Sequence, residues 1–331
     1  MPLSLIMTFR NEEENLQANL PVILNIPNQK FELIVVDDFS MDNSLIVLGA
    51  LKDKYEHLKY SSLSQETWFS VKMAQNIALK AAYYDWVMVV PPSVRKFSST
   101  WLSSIISAIN ENAEVVVNYS NVAHTGKFYN LLYRAELFFQ QLRSFGFIMN
   151  GLPYIVSEDN VAFKKNNYFL TGGYRNKVKE SYANLELLVN SFIKKKKVRL
   201  IFGAGTAVLR SEPVTRLNFY DLLKKEVQIR KYLPLSRRIF ISLEEFTRFA
   251  LVPSAVIVFI FIPVLLLPLA LLLSIISLLT MVIIKKAINR LNEHKLFLSS
   301  LIYALILPYF KLVYRFYFNR YSRKKKWKGK K

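Results

Sequence analysis

Thirty-six consecutive residues, 249–284, carry no charge, and no helix in the core of a soluble domain needs so long an apolar run. Crossing a bilayer takes about 20 residues of helix. As one straight helix at about 1.5 Å per residue the run would be about 54 Å long, against about 30 Å of hydrocarbon. Pro253, Pro263 and Pro268 interrupt it, and proline removes a helical hydrogen bond and clashes with the preceding turn. The run therefore predicts a helical hairpin over 249–284, turning near Pro263 and Pro268. The alternative is a single span with interfacial flanks. A further apolar stretch, 296–318, contains Pro308, Lys311 and Arg315 among many Tyr and Phe. It suits either a span or a helix lying in the interface with its cations reaching to water.

The chain is also strongly basic, with 45 Lys+Arg, 24 Asp+Glu and a formal net charge of +21. Residues 1–90 hold 7 Lys+Arg against 11 Asp+Glu, so the positive charge belongs entirely to the later chain. It gathers over 194–238 and in the tail, on either side of the apolar run. Anionic lipid accounts for cations in such places. By the positive-inside rule, the loop carrying Lys285, Lys286, Arg290 and Lys295 and the basic tail both belong on the cytoplasmic side. Membrane lipid is thus an expected partner. Nucleic acid is not, because the first domain is not basic and no binding motif interleaves aromatics with cations. Residues 1–7 lack the basic n-region of a secretory signal, which predicts a cytoplasmic first domain. The chain divides into a domain over 1–214, a basic amphipathic connector over 215–248, a membrane region over 249–318 and a basic tail over 319–331. It contains no cysteine, which excludes disulfides, thiolate metal sites and cysteine nucleophiles. His57, His124 and His294 have no metal-ligand partners in sequence.

Within the first domain, Pro2-Leu3-Ser4-Leu5-Ile6-Met7-Thr8 reads as a strand and Leu16, Leu20, Ile23 and Leu24 as the apolar face of a helix that breaks at Ile26-Pro27. Phe31-Glu32-Leu33-Ile34-Val35-Val36 is a second strand that delivers Asp37 and Asp38 to its C-terminal end. Ser44 or Asp42 can cap the helix that starts at Leu45. Lys59-Tyr60-Ser61-Ser62 reads as a third strand, 71–82 as a helix, and Trp86-Val87-Met88-Val89-Val90 as a fourth strand. Strands alternating with helices over short connections build an α/β sheet, and ligands bind such sheets outside the carboxyl ends of the strands. That edge carries Thr8, Phe9, Arg10, Asp37 and Asp38. On spacing alone the two acids fit either a ligand contact or a loop-solvating, helix-capping role.

Thr8-Phe9-Arg10-Asn11-Glu12-Glu13-Glu14-Asn15-Leu16, followed by Val35-Val36-Asp37-Asp38-Phe39-Ser40, resembles the N-terminal half of family 2 glycosyltransferases. The likeness continues through Lys72, Ala74, Asn76 and Ala78, Asn160-Val161-Ala162-Phe163, Gly172-Gly173-Tyr174 and Gln228-Ile229-Arg230-Lys231-Tyr232, over about residues 2–235. The Trp327-Lys328-Gly329-Lys330 ending is similar to that of membrane-anchored members. The resemblance implies a GT-A-like (Rossmann-like) mixed α/β sheet flanked by helices and a nucleotide-sugar ligand. It also implies that Thr8, Arg10, Glu12, Asp37, Asp38 and Lys72 line the nucleotide pocket, and that Gln228, Lys231 and Tyr232 stand on the acceptor side.

Two departures from the family pattern bear on chemistry. Where the family carries an Asp-x-Asp that holds Mg²⁺ or Mn²⁺, this chain reads Pro91-Pro92-Ser93, which offers no anionic oxygen pair to a hard cation. No metal site is therefore expected. Where the family carries its catalytic Asp, the chain reads Ala183-Asn184, and an amide is no general base. Arg95 and Lys96 are candidate cations for a leaving diphosphate, and Glu158, Asp159, Glu180 and Glu186 are candidate carboxylates. For each acid the alternative is a solvated or capping role. Two functions remain open: a membrane-anchored transferase that moves sugar from a nucleotide-sugar to a lipid-linked or surface-glycan acceptor, or a catalytically degenerate relative that serves an active transferase as binding or scaffolding partner.

Overall fold

The computed structural model describes residues 1–27, 30–66, 70–109 and 112–328. The chain divides into two units, Met1–Leu233 and Pro234–Lys331. In the first, β1 (Leu3–Phe9), β2 (Phe31–Asp37), β3 (Leu58–Ser62) and β4 (Trp86–Val89) alternate with α1 (Glu13–Leu24), α2 (Ser44–Lys54) and α3 (Ser70–Ala81). Strand β1 pairs in parallel with β2 and β4, and β2 with β3. The chain continues through β5 (Val94–Lys96), α4 (Trp101–Ala108), β6 (Val115–Val117), β7 (Ser120–Val122), α5 (Phe128–Met149), β8 (Val161–Lys164), α6 (Lys165–Leu170), α7 (Leu185–Phe192), β9 (Val198–Leu200), β10 (Val208–Arg210) and α8 (Arg216–Tyr232). Strand β8 runs antiparallel between β4 and β6. The result is the expected mixed sheet, in the order β3-β2-β1-β4-β8-β6-β9, with a second sheet of β5, β10 and β7.

Sequence pattern explains the central strands. β1, β2 and β4 are almost wholly apolar and buried along their length, as strands covered on both faces must be. Helix α1 buries Leu16, Leu20, Ile23 and Leu24, the four residues read at helical spacing. The cap of α2 differs from expectation: its N-cap is Asn43, with no side-chain cap bond. Asp42 instead accepts the backbone N–H groups of Glu13 and Ser44, each at 3.1 Å. It ties the starts of α1 and α2 together, which sequence spacing within one helix does not reveal.

Asn160 joins the two halves of the sheet. Its φ of 59° is left-handed, a region that asparagine tolerates better than most residues. Its backbone N–H donates to Val89 O at 3.1 Å. Its Nδ2 donates to Tyr119 O and Thr206 O at 2.8 and 2.7 Å, and its Oδ1 accepts from Trp101 Nε1 at 3.0 Å. Trp101 is fully buried, so its N–H needs that acceptor.

The second unit begins with α9 (Leu235–Phe261), turns through a 3-10 segment at Pro263–Leu265 and continues as α10 (Leu266–Arg290) and α11 (Phe297–Lys328). The connector expected over 215–248 is thus divided, with α8 in the first unit and the start of α9 in the second. The turn falls near Pro263, but Pro253 lies inside α9 and does not end it. Proline at 253 deprives the carbonyl of residue 249 of its helical donor, and Tyr309 OH supplies one to Phe249 O at 3.2 Å. Arg315 pairs with both carboxylate oxygens of Glu245 at 2.6 and 2.8 Å. Two helical segments, Leu267–Arg290 and Phe297–Tyr317, are long and apolar enough to cross a membrane by length and composition, with mean hydropathy 2.7 and 1.6. The uncharged part of α9, 249–261, supplies only about 20 Å of helix. Tail residues 319–328 continue α11, while Gly329-Lys330-Lys331 lie outside the described residues.

Replacing Asn160 by Ala strands the Trp101 N–H and the Thr206 carbonyl, each costing about 1–3 kcal/mol, while Tyr119 O keeps the N–H of Val208 at 3.1 Å. Asn160→Ala should therefore lower stability by about 3 kcal/mol or more, read as a clear drop in the thermal midpoint of the detergent-solubilised protein. An unchanged midpoint would contradict this role.

Candidate active site

The C-terminal ends of β1 and β2 meet in register, with Phe9 opposite Asp37. Asp38 N–H donates to Phe9 O at 2.8 Å, so Thr8, Arg10, Asp37 and Asp38 share one edge. Polar bonds cross-brace the two loops. Asn11 N–H donates to Ser40 Oγ and Met41 N–H to Asn11 Oδ1, both at 2.8 Å, and Glu12 N–H donates to Ser44 Oγ at 3.2 Å. Asp37 is spent on this brace, accepting the N–H and the hydroxyl of Ser40. The turn holds Phe39 at φ 61° and Asn11 at φ 53°; a bulky residue such as Phe39 enters that region only under constraint. Asp38 is buried beside it. Arg10 is exposed and pairs with Glu66 at 2.7 Å. Its charge is favoured first by that bond and then by Glu66, Asp38 and Asp37. Glu12 accepts from Asn15 at 2.5 Å, and partial burial pushes its carboxyl up.

A second group of side chains surrounds the loop from Gly172 to Glu186. Gly172 and Gly173 have φ of 78° and 57°, and a Cβ on Gly173 would stand 3.0 Å from Tyr168 OH, so this turn requires glycine. Lys72, expected at the nucleotide, reaches this loop instead, donating to Glu180 O and to Asn184 Oδ1; burial lowers its pKa. Gln228, Lys231 and Tyr232 of α8, expected on the acceptor side, clamp the same loop. Gln228 Oε1 accepts the N–H groups of Tyr182 and Ala183, each at 3.0 Å, and Lys231 and Tyr232 both donate to Glu180, at 2.8 and 2.6 Å. A cleft of about 730 Å³ opens alongside, lined among others by Lys72, Asn76, Lys80, Tyr168, Tyr174 and Arg175. None of Thr8, Asp37 and Asp38 lines it.

Glu180 takes the bonds from Lys231 and Tyr232, and the other three candidate carboxylates part company. Glu158 lies next to the Asn184 position: its Oε2 accepts Leu185 N–H at 2.8 Å and its Oε1 accepts Gln75 Nε2 at 3.0 Å. Burial first, then the charge of Glu186, pushes the Glu158 carboxyl up to about 8. Glu186 is fully buried and ion-paired with Lys225 of α8. Lys225 was invisible in the sequence, being one cation in a basic stretch. Asp159 faces the other way, with Ser157 and Arg210.

At the end of β4, Pro91-Pro92-Ser93 offers no carboxylate. Asn19 Nδ2 donates to Pro92 O at 2.7 Å, and Ser93 Oγ donates to Glu212 at 3.3 Å. Among the described residues no group of three or more His, Asp or Glu side chains could hold a metal ion. The Pro91-Pro92-Ser93 segment itself gives the divalent metal usual for the resemblance no anionic ligand. Arg95 is exposed, and the side chain of Lys96 lies outside the described residues.

The sequence model of glycosyl transferase family 2 matches residues 4–162, the segment that builds both strand ends, Lys72 and Glu158. That segment is similar to glycosyl transferase family 2, and the fold of the chain is GT-A. The solved mannosyltransferase PcManGT from Pyrobaculum calidifontis, in complex with GDP-Man and Mn²⁺, is similar with a TM-score of 0.53 and 15% identity, over 92% of this chain and 86% of that one. S. aureus TarS 1–349 is similar with a TM-score of 0.48 and 17% identity, over 70% of this chain. This chain spans 65% of that protein's length, less than two thirds. A search of curated proteins finds no match. Against the pattern of that family, the chain keeps the strand-end acids Asp37 and Asp38 and departs at Pro91-Pro92-Ser93 and Ala183-Asn184.

The raised Glu158 carboxyl has a stability consequence. The folded state holds this proton more tightly than the unfolded chain, so folding loses stability as pH rises from about 4.5, the unfolded value, towards about 8. Glu158→Gln mimics the protonated form. The fall in thermal midpoint between pH 5 and 8.5 should be shallower in Glu158→Gln than in the wild type; parallel profiles would contradict the assignment.

Proposed function

We propose that this chain is a membrane-anchored family 2 glycosyltransferase that takes sugar from a nucleotide-sugar and transfers it to a lipid-linked or surface-glycan acceptor. The observation that carries the reading is the braced strand edge, where Asp38 sits against Phe9 O beside Arg10. A buried carboxylate can accept ribose or base donors there, and a guanidinium beside it can meet phosphate. Asp37, committed to Ser40, holds the turn that presents its neighbour. The apolar helices of the second unit support anchoring next to a membrane-borne acceptor, with the first unit on the cytoplasmic face. Glu158 is our candidate for the proton acceptor in place of Asn184. In the transfer, a bond forms from the acceptor hydroxyl oxygen to the anomeric carbon as the bond from that carbon to the phosphate oxygen breaks. The hydroxyl proton passes to ionised Glu158, and the nucleoside diphosphate leaves with the electron pair.

Asn184 and the missing Asp-x-Asp favour a second reading, a degenerate relative that binds a nucleotide and serves an active transferase. Calorimetric titration of the solubilised protein with UDP, GDP and their sugars tests what both readings share, and release of nucleoside diphosphate in the same samples separates them. Saturable binding is expected, weakened roughly tenfold or more by Asp38→Ala, the loss of one charge-assisted bond. If no nucleotide binds, both readings fail.

A further inference from the structure

The end of β4 holds a cation supplied by the chain itself. Strand β10 sets Arg210 opposite Val94 of β5, and Ser211 N–H donates to Ser93 O at 2.8 Å, which fixes Arg210 and Glu212 to the Pro91-Pro92-Ser93 segment. Asp159 arrives from the other side through its bridge with Val89. Between the two acids lies the guanidinium: Arg210 Nη1 stands 3.2 Å from Asp159 Oδ2 and 3.0 Å from Glu212 Oε1, and Nη2 reaches Tyr133 OH at 3.4 Å. One nitrogen atom thus bridges two carboxylate oxygens, and Ser93 Oγ contacts the second oxygen of Glu212. The Arg210 side chain is only 10% exposed. Burial works against its charge, and Glu212 and Asp159 outweigh that cost and hold it protonated.

Two carboxylates and a hydroxyl at one strand end are oxygen ligands of the kind a hard divalent ion takes, at about 2.0–2.6 Å. Here the space between them is filled, and a positive charge about 3 Å from each acid repels any second cation. We propose that Arg210 is the resident cation of this acid site, standing in for a divalent metal and leaving the chain with no metal requirement of its own at the end of β4. Under the proposed transferase function, on which this consequence rests, donor binding is then independent of Mg²⁺ and Mn²⁺. The sequence hid the arrangement because Arg210 lies more than 100 residues beyond Pro91, in a basic region explained by the membrane.

The test uses Mn²⁺ alone, followed by the loss of its free six-line paramagnetic resonance signal on the full-length solubilised protein, so it needs no nucleotide and no activity. Wild type should take up no stoichiometric Mn²⁺. Arg210→Ala leaves Asp159 and Glu212 facing each other and should bind about one Mn²⁺ per chain, roughly tenfold or more tighter than wild type; the added change Asp159→Asn should abolish the gain. Uptake of one Mn²⁺ by wild type overturns the proposal, as does a folded Arg210→Ala protein that takes up none. Should Arg210→Ala fail to fold, Arg210→Gln, which keeps much of the bulk, replaces it, and the wild-type titration still decides. A protein that binds no nucleotide yet gains Mn²⁺ on losing Arg210 would sink the transferase reading and leave this inference standing.

Discussion

The parallel pairing of β1 with β2, in register from Leu3 opposite Phe31 to Phe9 opposite Asp37, fixes where the two strand-end loops meet. Parallel strands need a crossover helix between them, so both chains leave the sheet at the same edge and their loops must pass side by side. The backbone N–H groups of these loops need partners. Asn11, Ser40, Asp42 and Ser44 supply them across the gap, at the cost of left-handed backbone at Asn11 and Phe39. That brace makes the edge rigid and sets Asp38 next to the end of β1.

Asn160 imposes the second constraint. The two residues before it are acids that face different partners: Glu158 meets Gln75 and the start of α7, while Asp159 meets Arg210. Buried charge survives only when paired and hydrogen-bonded. Each acid accordingly belongs to an ionic group with a downstream cation, Lys225 for the Glu158–Glu186 side and Arg210 for the Asp159–Glu212 side. The hub at Asn160 therefore joins a buried group whose Glu158 carboxyl is pushed up to about 8 to a strand-end group in which the charge is locked.

Much of this was legible in the sequence where the cause is local. The buried strands, the apolar face of α1 and the strand-end position of Asp37 and Asp38 follow from short-range pattern. The missing acids at Pro91-Pro92-Ser93 and Asn184 were equally plain. What the pattern could not convey depends on contacts between distant segments. Lys225 and Arg210 looked like members of a basic stretch, yet they neutralise buried acids. Lys72 was expected at the nucleotide and reaches the 180–184 loop, because Asn184 and Glu180 O are there to accept from it. Pro253 reads as a helix breaker until Tyr309 is seen to satisfy the carbonyl that it strands.

A nucleotide is proposed to seat on the braced edge between β1 and β2. Hydrogen–deuterium exchange of the full-length solubilised protein, with and without saturating UDP or GDP, tests this most directly. Slowed exchange is expected in peptides covering residues 8–13 and 37–44, with the 291–296 loop unchanged. Protection confined to other segments, with 8–13 and 37–44 exchanging as before, would contradict it.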